Sequence, residues 1–261
     1  MINYSLAGAA ADPWQDPVAQ ALLRLRDAGI FVAVAAGNAG TNGNGTVLSP
    51  ANAPWVTTSG NSTHHGNLSN SLINLSGGDT MPPVLGVGAS VTAGYGSANV
   101  VYAAGLMNSD GVTDNGRCAA GFPPNTFSGE IVFCDANGVD DDISLTDKAW
   151  AILNAGGGGF VTTRNRPTLQ LLGINRLPLP GTELRQADAN ALRTWLSSGS
   201  GHMATISGTV REQNAAYGDV LYVTTSLGPA PFAPDVLKPN VVAPGAKVWA
   251  AHWGSETPAE P

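Results

Sequence analysis

The chain has 261 residues, 43% hydrophobic and 12% charged, enough for one large domain or two modest ones, each with its own core. Twelve basic against nineteen acidic residues leave a net charge of -7, and no basic patch is present to neutralise phosphates, which argues against nucleic-acid binding. No run of about 18 apolar residues occurs, so no membrane span is expected, and 33 glycines with 18 prolines favour turns and short strands over a helical bundle.

The chain opens on MINYSL, an apolar segment with no basic n-region and no cleavage site. It reads as a domain entered mid-strand and not as a secretory signal. Residues 2–6 are expected to form a short buried strand. Asp16-Pro17 then starts a helix, Asp as cap and Pro in the first turn. Val18, Leu22 and Leu25, with Ala21 alongside, define its apolar face, and Gly29 stops it. Residues 30–36 are a second apolar strand. Strand, helix and strand in so short a span form a βαβ unit, so the two strands should be parallel and buried. Sites in open α/β sheets lie beyond the carboxyl ends of the strands. Here those ends are Ser5-Leu6-Ala7 and Gly37-Asn38-Ala39, which should arrive together at one sheet edge.

Residues 41–52 are a loop rich in Gly, Asn and Ser, and residues 55–60 return as a strand. Residues 67–106 alternate β-like runs with glycine turns. EIVFC, from Glu130, is a further strand, followed by an acidic loop over residues 135–142 and a helix over residues 145–154. GGGGFVTT, from Gly156, reads as a turn plus strand. A strand over residues 177–184 leads to a helix through Ala187, Ala191, Leu192 and Trp195. The middle third thus repeats β–α–β units around a core of its own. The tail, from Lys238, reads as a short apolar strand, a Pro-Gly turn and a second apolar strand.

Taken together, these stretches resemble a subtilisin-like serine protease, a subtilase. NYSLAG (from Asn3) is similar to the family's N-x-S-L-G-G segment. VAVAAGNAG (from Val32) is similar to its A-A-G-N-x-G strand end, and SPANAPWVTTSGNST (from Ser49) to the strand that follows. LKPNVVAPGAKVWAA (from Leu237) is similar to its K-P-D-V-V-A-P-G block. The middle, about residues 97–208, resembles a protease-associated (PA) domain, through VVYAAG, CAAGFPP, GEIVFCDANG, AGGGGFV and LPLPGTELRQADANAL. The resemblance implies an α/β fold: a partial subtilisin-like parallel-sheet core over residues 1–66 and 217–261, and an insertion over residues 67–216 holding a β-rich α+β PA domain.

Residue by residue, it implies that Asn38 is the oxyanion-hole amide, whose N–H would donate to the negative oxygen of a tetrahedral intermediate. Ser5, Leu6 and Ala7 match one wall of the primary specificity pocket, a segment that also pairs with the substrate backbone as an added strand. Ala35, Ala36 and Gly37 match the facing wall. Ala7 departs from the family's usual glycine, and its methyl would crowd the substrate chain. The implied substrate is polypeptide, the implied location extracellular, and no organic cofactor is implied. The larger departure is catalytic. The family's D-T-G, H-G-T-H and G-T-S-M-A motifs, which supply Asp, His and Ser, are not among these 261 residues. A serine nucleophile needs its base within hydrogen-bond reach, so the chain alone is expected to be inactive. Competing readings are a non-catalytic PA-domain binding module and an inactive truncated product.

Other features are read as structural. His64-His65-Gly66-Asn67 is a surface loop, not the catalytic H-G-T-H, and His202 and His252 lack a partner carboxylate pattern. The GGGG run lacks the following Lys-Ser/Thr of a phosphate loop and follows a helix. Asp135, Asp140, Asp141 and Asp142 lack the order of a calcium loop and cap the next helix. Cys118 and Cys134 cannot fill a tetrahedral metal site alone. They could form one disulfide, which suits an exported protein, or lie as two buried thiols; the disulfide is expected.

Overall fold

The computed structural model describes residues 1–135, 144–163, 177–246 and 248. The chain divides into two compact units. One is built from Met1–His65 and the stretch beginning at Asn214, the other from Gly66–Gln213. The acidic loop residues Asp140, Asp141 and Asp142, His252 and the chain beyond residue 248 lie outside the described residues.

The first unit holds a four-stranded sheet in the order β1 (Ile2–Tyr4), β2 (Val32–Ala35), β3 (Thr57–Ser62) and β12 (Val241–Pro244), parallel throughout. Helix α1 (Pro17–Asp27) connects β1 to β2, as the βαβ pattern required. The Asp16 carboxylate accepts from the Val18 N–H at 2.8 Å and closes the helix start. The helix ends in a paired turn: Gly29 N–H donates to Arg26 O and Ile30 N–H to Leu25 O, with Gly29 at a φ of +78°.

Two local expectations are corrected here. The buried face of α1 is Ala19 and Leu22, while Val18 and Ala21 are exposed. Residues spaced by three or four lie on one face, but a shift of one residue rotates that face by about 100°, so Val18–Leu22–Leu25 and Ala19–Leu22 both fit the periodicity. The first strand is not buried: β1 is an edge strand with Asn3 exposed and Ile2 and Tyr4 half-buried. The core of this unit comprises Ala19, Leu22, Val32, Val34, Val47, Ala51, Ala53, Trp55 and Val56. The Trp55 indole N–H donates to Ala19 O at 2.8 Å and ties α1 to the loop before β3. All four residues of β12 are exposed, and Val248 lies in no strand.

The second unit contains a two-stranded ladder, β4 (Gly66–Ser69) with β11 (Val210–Gln213), and a six-stranded sheet. The latter runs β5 (Leu72–Ser76), β10 (Met203–Ile206), β6 (Tyr95–Tyr102), β7 (Ile131–Cys134), β8 (Gly159–Thr163), β9 (Gly181–Leu184). Strands β6 to β9 are parallel, and β10 is antiparallel to both its neighbours. Strand β7 alternates as its period demands. Ile131 and Phe133 face a core with Val161, Leu184, Leu192 and Trp195, packed under helix α3 (Gln186–Leu196). Val132 and Cys134 face the opposite core with Phe122, Phe127, Ile152 and Phe160, under helix α2 (Leu145–Asn154).

Cys118 and Cys134 are disulfide-bonded inside the second of these cores. The GGGG run is the stop of α2: Gly156 N–H donates to Leu153 O and Gly157 N–H to Ile152 O. A Cβ on Gly157 would overlap the Ile152 side chain and one on Gly158 the Tyr95 ring, so these glycines answer to packing.

Candidate active site

Parallel pairing of Tyr4 with Val34 brings the carboxyl ends of β1 and β2 to the same edge. Ser5, Leu6 and Ala7 leave β1 there as an exposed, irregular segment, with Leu6 68% exposed. It is anchored one residue on, where Gly8 N–H donates to Ser49 O at 2.9 Å. On the neighbouring strand, Ala36 N–H donates to Ser59 O at 3.0 Å, and Ala36 O accepts from Leu48 N–H at 3.1 Å. Ala36 itself is only 2% exposed, while Ala35 and Gly37 are half-buried.

Gly37 then turns the chain at a φ of +106°, a value that favours glycine, and a Cβ there would sit 2.7 Å from Leu48 Cδ1. The turn presents Asn38, which is exposed and whose side chain makes no hydrogen bond to a described residue. Its neighbours are held firmly. Ala39 N–H donates to Ser226 Oγ at 3.1 Å, and Gly40 N–H donates to Thr224 O at 3.0 Å. Ser226 N–H returns a bond to Gly37 O at 3.0 Å. A Cβ on Gly40 would overlap the Thr225 carbonyl. Further along, Thr46 N–H donates to Leu227 O at 2.9 Å, Leu227 N–H to Thr46 Oγ1 at 2.9 Å, and Gly45 N–H to Gly228 O at 3.0 Å. Residues 224–228 therefore run along the loop that carries Asn38 and close it. Sequence reasoning missed this segment; the cue was TTSLG, small hydroxyl residues before a glycine, able to accept from a tight turn.

A second buried polar group fixes the far side of the sheet. Lys238, 2% exposed, donates from Nζ to Val56 O at 2.7 Å, Asn240 Oδ1 at 3.0 Å and Thr58 Oγ1 at 3.1 Å. Asn240 in turn accepts from Thr58 N–H at 2.8 Å, so β12 is locked beside β3. Burial, with the nearby positive charge of Arg26, pushes the Lys238 pKa down to about 8.

In the second unit, Arg193 grips Asp135 with two bonds, Nη2 to Oδ1 at 2.6 Å and Nε to Oδ2 at 3.1 Å. Tyr102 Oη donates to the same carboxylate at 2.5 Å, and burial together with that carboxylate raises the phenol to about 12. His202 is buried, with Nε2 3.0 Å from Trp195 O and its ring edge-on to that indole, a core histidine. His65 is exposed and His64 half-buried. Among the described residues no group of three or more His, Cys, Asp or Glu is placed to hold a metal ion, and no helix is long and apolar enough to cross a membrane.

The profile of the subtilase family matches residues 1–260. Among curated relatives, the subtilisin-like protease SBT1.7 of Arabidopsis thaliana is 28% identical, covering 99% of this chain and 33% of the relative. The subtilisin-like protease SBT1.5 of the same plant is 27% identical over 96% of this chain and 32% of its own length. Its CO(2)-response secreted protease is 24% identical over 93% of this chain and 31% of its own length. The chain spans about a third of the length of the curated relatives it matches.

Proposed function

The chain belongs to the subtilase family of serine peptidases, and from that premise we propose that it is the oxyanion-hole and substrate-strand portion of a secreted subtilisin-like endopeptidase. The observation that carries this reading is Asn38: an exposed amide beyond the carboxyl end of β2, on a glycine turn, at the sheet edge where Ser5–Ala7 also emerge. An amide N–H aimed there stabilises charge that exists only in the tetrahedral transition state, so it accelerates the chemistry without tightening ground-state binding. Ser5, Leu6 and Ala7 form one wall of the substrate cleft and offer backbone groups to an extended peptide. Ala35 and Gly37 form the other, with Ala36 buried between them and both its N–H and its carbonyl bonded within the unit, to Ser59 O and Leu48 N–H.

The nucleophile, base and orienting acid come from D-T-G, H-G-T-H and G-T-S-M-A segments that these 261 residues do not contain, and the chain by itself does not hydrolyse peptides. The exposed Val241 and Val242 of β12, beside an 81%-exposed Leu237, support a sheet completed by further polypeptide. Residues 67–216 are an insertion, with a PA domain at about residues 97–208, supported by the separate core and disulfide of that unit. An extracellular setting is supported by the disulfide and by the relative named as secreted.

The test replaces the matched third of SBT1.7 with this chain, so that the relative supplies the triad. In that chimaera Asn38→Ala should lower kcat on the order of 10²–10³ with KM little changed, a magnitude established for subtilisin itself. An undiminished kcat in N38A would remove Asn38 from the mechanism. The 261-residue chain alone should remain unlabelled by a fluorophosphonate probe; labelling of any serine would overturn its assignment as inactive.

A further inference from the structure

We propose that Ser226 is a positioning residue for Asn38, acting as a two-sided clamp on the turn that aims the oxyanion donor. The inference rests on the reading of Asn38 above but is drawn from geometry of its own. Ser226 is wholly buried, and its Oγ accepts the Ala39 N–H at 3.1 Å while its N–H donates to Gly37 O at 3.0 Å. The two residues it grips are the immediate neighbours of Asn38. Asn38 has no side-chain bond to a described residue that would set its direction. The turn cannot set it either, because two of its residues are glycines, at Gly37 and Gly40, whose backbone is otherwise free to vary.

Three features make the clamp specific. Ala39 lies past the end of β2 at Ala35, outside its ladder, and Ser226 Oγ is the acceptor of its N–H. Ser226 is fixed from behind, since Thr225 Oγ1 accepts from Asn61 N–H of β3 at 2.9 Å and Thr224 O holds Gly40 N–H. Space is closed as well: a Cβ on Gly37 would sit 2.9 Å from Ser226 Oγ, so hydroxyl and turn are in near contact. A donor that must meet an oxyanion within a few tenths of an ångström needs such support, because catalysis of this kind depends on dipoles oriented before the charge appears.

The experiment has two arms. In the 261-residue chain, Ser226→Ala should raise the hydrogen-exchange rate of the Ala39 amide on the order of tenfold, the effect of one lost hydrogen bond. The Ala36 amide, held by Ser59, should stay unchanged. Equal Ala39 rates in the two proteins would overturn the clamp, and faster exchange at both amides would reduce Ser226 to a general packing role and overturn it equally. In the chimaera, S226A should lower kcat by tenfold or more with KM steady, and S226C, whose larger sulfur still accepts but more weakly, should fall in between. In the N38A background S226A should cost nothing further, because it acts through Asn38. If N38A itself leaves kcat intact, the reading of Asn38 fails. If N38A is impaired and S226A adds its full loss on top, the clamp alone fails.

Discussion

Lys238 offers a pH dependence whose sign and size follow from its surroundings. Its ammonium is buried against three neutral oxygens, Val56 O, Thr58 Oγ1 and Asn240 Oδ1, with the Arg26 charge nearby. No carboxylate is among these acceptors, so desolvation prevails and the folded pKa falls from 10.5 to about 8. The unfolded chain therefore binds one more proton than the folded chain between about pH 8 and pH 10.5. Stability should rise with pH through that window, at about 1.4 kcal/mol per unit and about 3 kcal/mol in all. Below pH 8 both states carry the proton and the penalty is constant. Tyr102 works in the opposite sense and later: its raised pKa of about 12 means that stability present below pH 10 is lost as pH rises towards 12. Urea unfolding followed at the Trp55 resonance of the 5-fluorotryptophan-labelled chain reports on the unit that holds Lys238. Lys238→Met should abolish the rise between pH 8 and 10, while leaving Val56 O without its partner at a cost of about 1–3 kcal/mol at pH 8. A flat or falling profile in the parent chain, superposing on that of K238M, would refute the argument.

The remaining predictions concern the turn and the disulfide. Gly40→Ala places a methyl against the Thr225 carbonyl, which the backbone can relieve only by moving the turn. Stability of the first unit should fall by about 1–3 kcal/mol and Ala39 exchange should quicken; a neutral G40A by urea unfolding would mean the segment after Thr224 yields freely. The Cys118–Cys134 bridge closes a separation of 16 residues, for which chain entropy gives about 3 kcal/mol. The C118A/C134A chain should unfold at correspondingly lower urea at probes in the second unit, and neither cysteine should react with iodoacetamide before reduction. Equal alkylation with and without reductant would show two free thiols.

Much of the fold was legible because its determinants are local. The Asp16 cap, the Gly29 stop and the Gly156 stop each act within one helical turn, and the structure contains all three. Helix α2 runs over the residues its pattern indicated, and the β1–α1–β2 unit is parallel. The errors were of a different kind. Periodicity placed an apolar face on α1 but not its rotation, and an apolar run at residues 2–6 said nothing of whether its strand would be central or at an edge. Burial depends on which elements arrive on either side, which is not a property of the strand itself.

The site divides along the same line. The amino-acid sequence by itself determined that a strand of small residues ends in a glycine-flanked asparagine, and that a second strand end should lie beside it, because a short helical crossover leaves only a parallel arrangement. Only the tertiary structure decided what holds that asparagine in place. The bond from Ala39 to Ser226 joins residues 187 apart, and Lys238 reaches Val56 across 182. Contacts of that separation have no signature in local pattern or propensity. They exist because the chain leaves this unit, folds a second one, and returns to close the turn with hydroxyls and carbonyls that the glycines leave room to receive.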